Sequence, residues 1–127
     1  MVPDFGALAD GDSRTLLNDL APIIELGLPV KVILEQARLS DEALTLLVEV
    51  SLDAGARFLK TGTGFGPPVT PDQVRRLRER VRGRAALKAA GGITTLEQAL
   101  ALVEAGASRL GTSRGVALME SLTARGG

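Results

Sequence analysis

Two lysines carry most of the chemical potential of this chain. Lys60 closes the apolar run "ARFLKTG" (56–62), and Lys88 lies in "RAALKAA" (84–90). Each is followed by a glycine-rich loop, "GTGFG" in one case and "GGI" in the other. Either lysine alone could be a rim charge snorkelling to water. Two at matched positions of neighbouring buried strands favour a functional reading. Adjacent strands lie ~4.8 Å apart, so two ammonium groups reaching into one cavity repel each other. Burial also disfavours the charged form, and both effects lower a lysine pKa. One lysine is then expected to be a neutral amine able to attack a carbonyl, while the other stays protonated and maintains the field. The product of that attack is a Schiff base, whose iminium is an electron sink for making or breaking a C–C bond.

The remaining composition shortens the list of alternatives. The chain has no histidine, cysteine, tryptophan or tyrosine. Thiol nucleophiles, imidazole bases, Ser-His-Asp triads and His/Cys zinc sites are thereby excluded, as is a disulfide scaffold. Acid–base work falls to Lys, Asp, Glu or hydroxyls acting through water, and no cofactor or metal is expected. Lys plus Arg and Asp plus Glu each number 15, for zero net charge, so bulk charge points to no nucleic-acid partner. The basic stretch "RRLRERVRGR" (75–84) reads as a solvated helix face, and aromatics are too few for a base-stacking platform. With no apolar run of transmembrane length and no visible signal peptide, a soluble cytoplasmic protein without a membrane partner is expected. The length of 127 residues fits one domain, 1–127.

The elements that must position the lysines follow a simple rhythm. Four short runs read as buried strands: "VKVILE" (30–35), "ARFLKTG" (56–62), "RAALKAA" (84–90) and "SRLGTS" (108–113). Helical spacing fills the intervals. The segment 40–56 starts on a Ser cap and closes on Gly55. The segment 70–83 opens with a capping box of Thr70 and Gln73 around Pro71. The segment 94–107 repeats the device, with Thr94 answered by Glu97. No hairpin signal interrupts the series, so βα units on a parallel sheet are predicted. "DAGARFLKTGTG" (53–64) and "EAGASRLGTSRG" (104–115) also resemble each other. Strands recur about every 25 residues, near the repeat of a (β/α)8 barrel. The predicted fold is therefore α/β, half of such a barrel, with an open doubly wound sheet as the alternative. By alternation, Val30, Val32, Phe58, Ala86 or their neighbours would line the barrel interior.

In parallel folds, functional groups collect at the C-terminal ends of the strands. Here those ends hold Glu35, then Lys60, Thr61 and Thr63, then Lys88 with Gly91 and Gly92, then Gly111, Thr112 and Ser113. Glycine admits an anion close to backbone N–H groups, and a following helix N-terminus favours negative charge. Together with the lysines, these loops describe a site for a phosphorylated carbonyl compound.

"VKVILE", "ARFLKTGTGFG", "LKAAGGI" and "RLGTSRG" resemble, in order and over nearly the whole chain, the deoxyribose-phosphate aldolase family of class I aldolases on a TIM barrel. The resemblance implies strands five to eight of that barrel. It implies reversible cleavage of 2-deoxy-D-ribose 5-phosphate to D-glyceraldehyde 3-phosphate and acetaldehyde. It makes Lys60 the Schiff-base lysine and Lys88 the lysine that tunes it. It puts Gly64, Gly91, Gly92, Gly111 and Ser113 at the phosphate, and Thr61 and Thr63 beside the sugar.

Departures from the family pattern set further expectations. The family's fourth strand carries an acidic residue just before a Met-Val pair, and here Met1 and Val2 match that pair, leaving the acid one residue outside the chain. Asp4 or Glu35 could take its place. Gly62 stands where the family has serine, and Arg114 where a small residue is common. An impaired aldolase half is therefore expected, completed by a second copy or by a complementing barrel half. A non-catalytic remnant with a phosphate-binding face is the alternative. A sugar-phosphate isomerase barrel would explain the glycines but not the paired lysines.

Overall fold

A computed structural model of the chain describes residues 11–24, 30–64, 66–113 and 115–124. The elements are α1 (Ser13–Ile24), β1 (Lys31–Ile33), a short 3-10 turn (Gln36–Arg38), α2 (Asp41–Ala54), β2 (Phe58–Lys60), α3 (Pro71–Val81), β3 (Ala86–Ala90), α4 (Leu96–Ala105), β4 (Arg109–Gly111) and α5 (Gly115–Ala124). All strand pairs are parallel, and the sheet order is β1-β2-β3-β4. Every strand neighbours the next in sequence. The order never reverses, and a doubly wound sheet would require such a reversal.

The helix boundaries follow from capping chemistry. In α2 the Ser40 hydroxyl accepts the Ala43 amide, and Gly55 closes the helix at φ 98°. In α3, Thr70 and Gln73 form the expected reciprocal box around Pro71. In α4 the box is shifted by one residue and joins Thr95 to Gln98 rather than Thr94 to Glu97. The reason is economy of donors. The Gln98 carboxamide oxygen accepts from the amides of both Thr94 (2.9 Å) and Thr95 (3.0 Å), which satisfies two helix-entry groups at once.

Helix α1 has no counterpart among the predicted elements. Its signal is the Asp12 carboxylate, which accepts from the amide and hydroxyl of Thr15. Those bonds hold the Asp12 carboxyl below its ordinary value. Leu16 and Leu20, one helical turn apart, are fully buried, and Pro22 sits inside the last turn.

One face of the sheet packs under the helices. Val32, Leu59 and Leu87 form one buried row across three strands. They meet Leu47 and Val48 of α2, Val74 and Leu77 of α3, and Leu102 of α4 in one core. The opposite face carries Lys31, Phe58 and Ala86 in one row, and Ile33, Lys60, Lys88 and Arg109 in the next. The expected interior set is thus corrected at Val32, which lies beneath the helices, while Phe58 and Ala86 lie on the open face. Lys31 decides the phase. In a strand of alternating direction, a lysine cannot be placed under packed helices without stranding its charge.

The basic helix α3 is a solvated, ion-paired face as predicted. Arg76 Nε lies 3.0 Å from Asp72, and Arg76 and Arg80 both reach Asp41, at 3.4 and 3.6 Å. Among the described residues, no helix is long and apolar enough to cross a membrane.

Candidate active site

The C-terminal ends of β2, β3 and β4 surround a cleft of about 420 Å³. Lys60 enters it from the end of β2, and Thr63 and Gly64 form one wall. Ala90, Gly91, Gly92, Ile93 and Thr94 form the floor leading into α4. Gly111, Thr112 and Ser113 close the side leading into α5. Two helix entrances thus border one space rich in backbone amides, which is the setting for an anion.

Lys60 and Lys88 are register partners on adjacent strands, as the sequence pattern predicts. Lys88 runs beside β4, and its Cε would lie 3.2 Å from a Cβ built on Gly111, whose other close neighbour is the Ala90 methyl at 3.1 Å. Glycine at 111 is what lets the Lys88 stem pass. At Gly92, φ is +64° and a Cβ would fall 2.7 Å from Pro68 Cβ. The β2–α3 loop therefore lies directly on the β3–α4 loop, and the Val69 amide donates to Gly91 O at 2.9 Å.

The electrostatics involve more cations than the predicted pair. The Lys88 ammonium is held below its ordinary 10.5, first by the charge of Lys31, then by burial, then by Lys60 and Arg109, with a Lys31 hydrogen bond last. Arg109 stacks over the Phe58 ring at 4.6 Å, a cation–π contact across the small Ala86 position. The four described strands contain no acidic residue. Lys31 and Arg109 escape a reading based on strand ends, because each is the first residue of its strand, with Arg109 level with Lys88. Their signal is parity: Lys31 shares the phase of the interior-facing positions within "VKVILE".

A pH dependence follows with a defined sign. The folded chain binds fewer protons than the unfolded chain in the interval below 10.5, so stability rises with pH through that interval. The penalty is fully present below the folded value and vanishes above 10.5. In urea melts at increasing pH, the stability gap between Lys88→Met and the native chain should therefore shrink. A gap independent of pH contradicts the assignment.

Other predicted residues have different placements. The Thr61 side chain is buried; its hydroxyl donates to Ala90 O at 3.1 Å and accepts from Ala90 N at 3.0 Å. It ties the end of β2 to the end of β3. The Thr112 hydroxyl donates to Ile93 O at 2.6 Å and joins the β4 end to the same floor. The Glu35 carboxylate accepts the Thr63 amide and does not line the cleft. Met1, Val2, Asp4 and Arg114 lie outside the described residues.

No family model matches the chain. It is 48% identical to the deoxyribose-phosphate aldolase of Microcystis aeruginosa over 120 residues, which is 94% of this chain and 53% of that protein. It is 46% identical to the deoxyribose-phosphate aldolase of Thermococcus kodakarensis over 125 residues, 94% of this chain and 56% of that protein. The solved aldolase QR15 superposes with a TM-score of 0.90 at 36% identity, covering 98% of this chain and 57% of that one. The chain thus spans about half the length of the relatives it matches. Its consecutive parallel βα units form part of a (β/α)8 barrel. Over the half that it spans, the chain belongs to the deoxyribose-phosphate aldolase family.

Proposed function

We propose that these βα units supply the Schiff-base lysine and the phosphate cradle of a class I aldolase acting on 2-deoxy-D-ribose 5-phosphate. The observation that carries this reading is Lys60 lining an amide-rich cleft with Lys88 as its register partner on the adjacent strand. In the cleavage direction, Lys60 Nζ adds to the aldehyde carbon of the open-chain sugar, giving a carbinolamine that loses water to an iminium. The C–C bond breaks as its electron pair moves into the iminium, while the hydroxyl on the leaving fragment loses its proton and becomes the aldehyde carbonyl. The products are D-glyceraldehyde 3-phosphate and an enamine on Lys60. Protonation and hydrolysis of the enamine release acetaldehyde and restore the amine. Lys88, whose ammonium is held below its ordinary value first by Lys31 and then by burial, would exchange protons beside Lys60, its register partner. The amides around Gly64, Gly91, Gly92, Gly111 and Ser113 are suited to hold the phosphate, with Thr63 beside the sugar. Thr61 supports this arrangement from beneath.

The partner in this reading is a phosphorylated sugar or aldehyde, with the barrel completed by a second copy or a complementing half. The cytoplasm, where such sugars occur, is the compartment that fits. Of the relatives, the Aeropyrum pernix deoxyribose-phosphate aldolase is described as tetrameric.

The test is covalent trapping. Incubated with acetaldehyde or 2-deoxy-D-ribose 5-phosphate and reduced with borohydride, the chain should carry its adduct on Lys60. Lys60→Ala should abolish that labelling. Adducts confined to exposed lysines, with Lys60 untouched, would overturn the Schiff-base reading and favour a non-catalytic phosphate-binding remnant.

A further inference from the structure

We infer that Glu35 is a positioning residue whose carboxylate clamps the Thr63 amide and so fixes the Thr63–Gly64 wall of the cleft beside Lys60. The inference rests on the reading of Lys60 as the reacting amine, but its own evidence is separate.

The segment 34–36 touches the end of β2 at three successive points. The Leu34 amide donates to Lys60 O at 2.9 Å and the Gln36 amide to Thr61 O at 2.8 Å. Between them, Glu35 takes the left-handed conformation, φ 51° and ψ 50°, which is uncommon for a residue with a side chain. That twist turns its carboxylate toward the β2–α3 loop, where it accepts the Thr63 N–H. A Cβ at Gly62 would lie 3.4 Å from Glu35 Oε1, ordinary van der Waals contact, so the carboxylate packs directly against this residue. Downstream, the Val69 amide is anchored on Gly91 O. Between the anchors at Thr61 and Val69, the loop would rely on the Glu35 carboxylate to set where Thr63 and Gly64 stand. A charged acceptor suits this duty, because a charge-assisted bond to a backbone amide is roughly twice as strong as a neutral one.

This role also explains why the one acidic residue at a strand end is no proton donor to the cleft. Its Oε1 accepts the Thr63 amide, and Glu35 is absent from the residues that line the cleft with Lys60.

The test compares Glu35→Ala, Glu35→Asn and Glu35→Gln in the full chain. Asparagine tolerates the left-handed backbone but is one methylene short, so it separates loss of the clamp from loss of folding. Two quantities are measured by NMR: hydrogen exchange at the Thr63 amide, and the apparent Kd for 2-deoxy-D-ribose 5-phosphate. Glu35→Ala and Glu35→Asn should speed Thr63 exchange and weaken sugar-phosphate binding, each by about tenfold or more, the scale of one charge-assisted hydrogen bond. Glu35→Gln keeps a neutral acceptor at the same reach and should recover part of both, leaving a loss of about threefold. Unchanged Thr63 exchange in Glu35→Asn overturns the clamp. Faster exchange with unchanged Kd overturns the positioning role. If borohydride fails to label Lys60 while these shifts appear, the Schiff-base reading falls and the clamp stands.

Discussion

Assayed by itself, the 127-residue chain is expected to cleave 2-deoxy-D-ribose 5-phosphate at least ~10²–10⁴-fold more slowly than a full-length aldolase of its family. In the proposed reaction Lys60 would form the iminium, but the route also needs protons moved at the carbinolamine and enamine. A positioned acid–base is worth that factor. The charged side chains that the described strands carry on the open face are all cations: Lys31, Lys60, Lys88 and Arg109. Glu35, a candidate substitute in the sequence, has its carboxylate on the Thr63 amide. A coupled assay for glyceraldehyde 3-phosphate measures the rate. Robust turnover would refute the expectation, and its loss in Asp4→Asn would then place the acid at Asp4.

In light scattering, the purified chain is expected to be a dimer or larger assembly. Strands β1 and β4 are the ends of the sheet, and each leaves a row of backbone groups unpaired by another described strand. Beyond β4, helix α5 buries Leu118 but exposes Val116 and Met119 at 76% and 63%, as a helix does when its neighbour in the ring is not in place. Two geometries could cover these surfaces. Stacking inner face on inner face would oppose two sets of four cations, each ammonium pair repelling by ~1 kcal/mol at 4 Å even in water and more where water is excluded. Closing edge to edge, β4 of each copy beside β1 of the other, would pair the free backbone groups and give eight parallel strands around a common interior. That closure is isologous and self-limiting. A well-behaved monomer with a cooperative melt would contradict the half-barrel argument.

The cleft was legible in the sequence where side-chain type and strand alternation agree. Lys60 ends β2 and Lys88 is the middle residue of β3, and each directly follows a buried leucine, so their shared register followed from the pattern. The glycine loops were legible for a similar reason. At Gly92 the conformation and the approach of Pro68 both demand glycine. The less legible features depend on contacts between distant segments. Glu35 is a strand-end acid like any other until the fold brings Thr63 to it. The Thr61 hydroxyl looks available for a ligand until Ala90 N and O are found on either side of it. The face of Val32 is ambiguous in the sequence because a continuous apolar run fits both phases, and only Lys31 distinguishes them. Helix α1 was passed over because its cap, Asp12 with Thr15, precedes a stretch interrupted by Pro22.

The unbroken order of the sheet bears on how such a chain acquires structure on a ribosome. Each strand pairs with the one made just before it, so no strand waits for a partner still deep in the exit tunnel. Each new unit closes a loop of about the same modest length, and the entropy of closure grows only slowly with such lengths. Growth can then be vectorial, with every completed unit offering its free edge as the template for the next. Among the described strands the last such edge is that of β4, and a strand to pair with it must come from outside these four units.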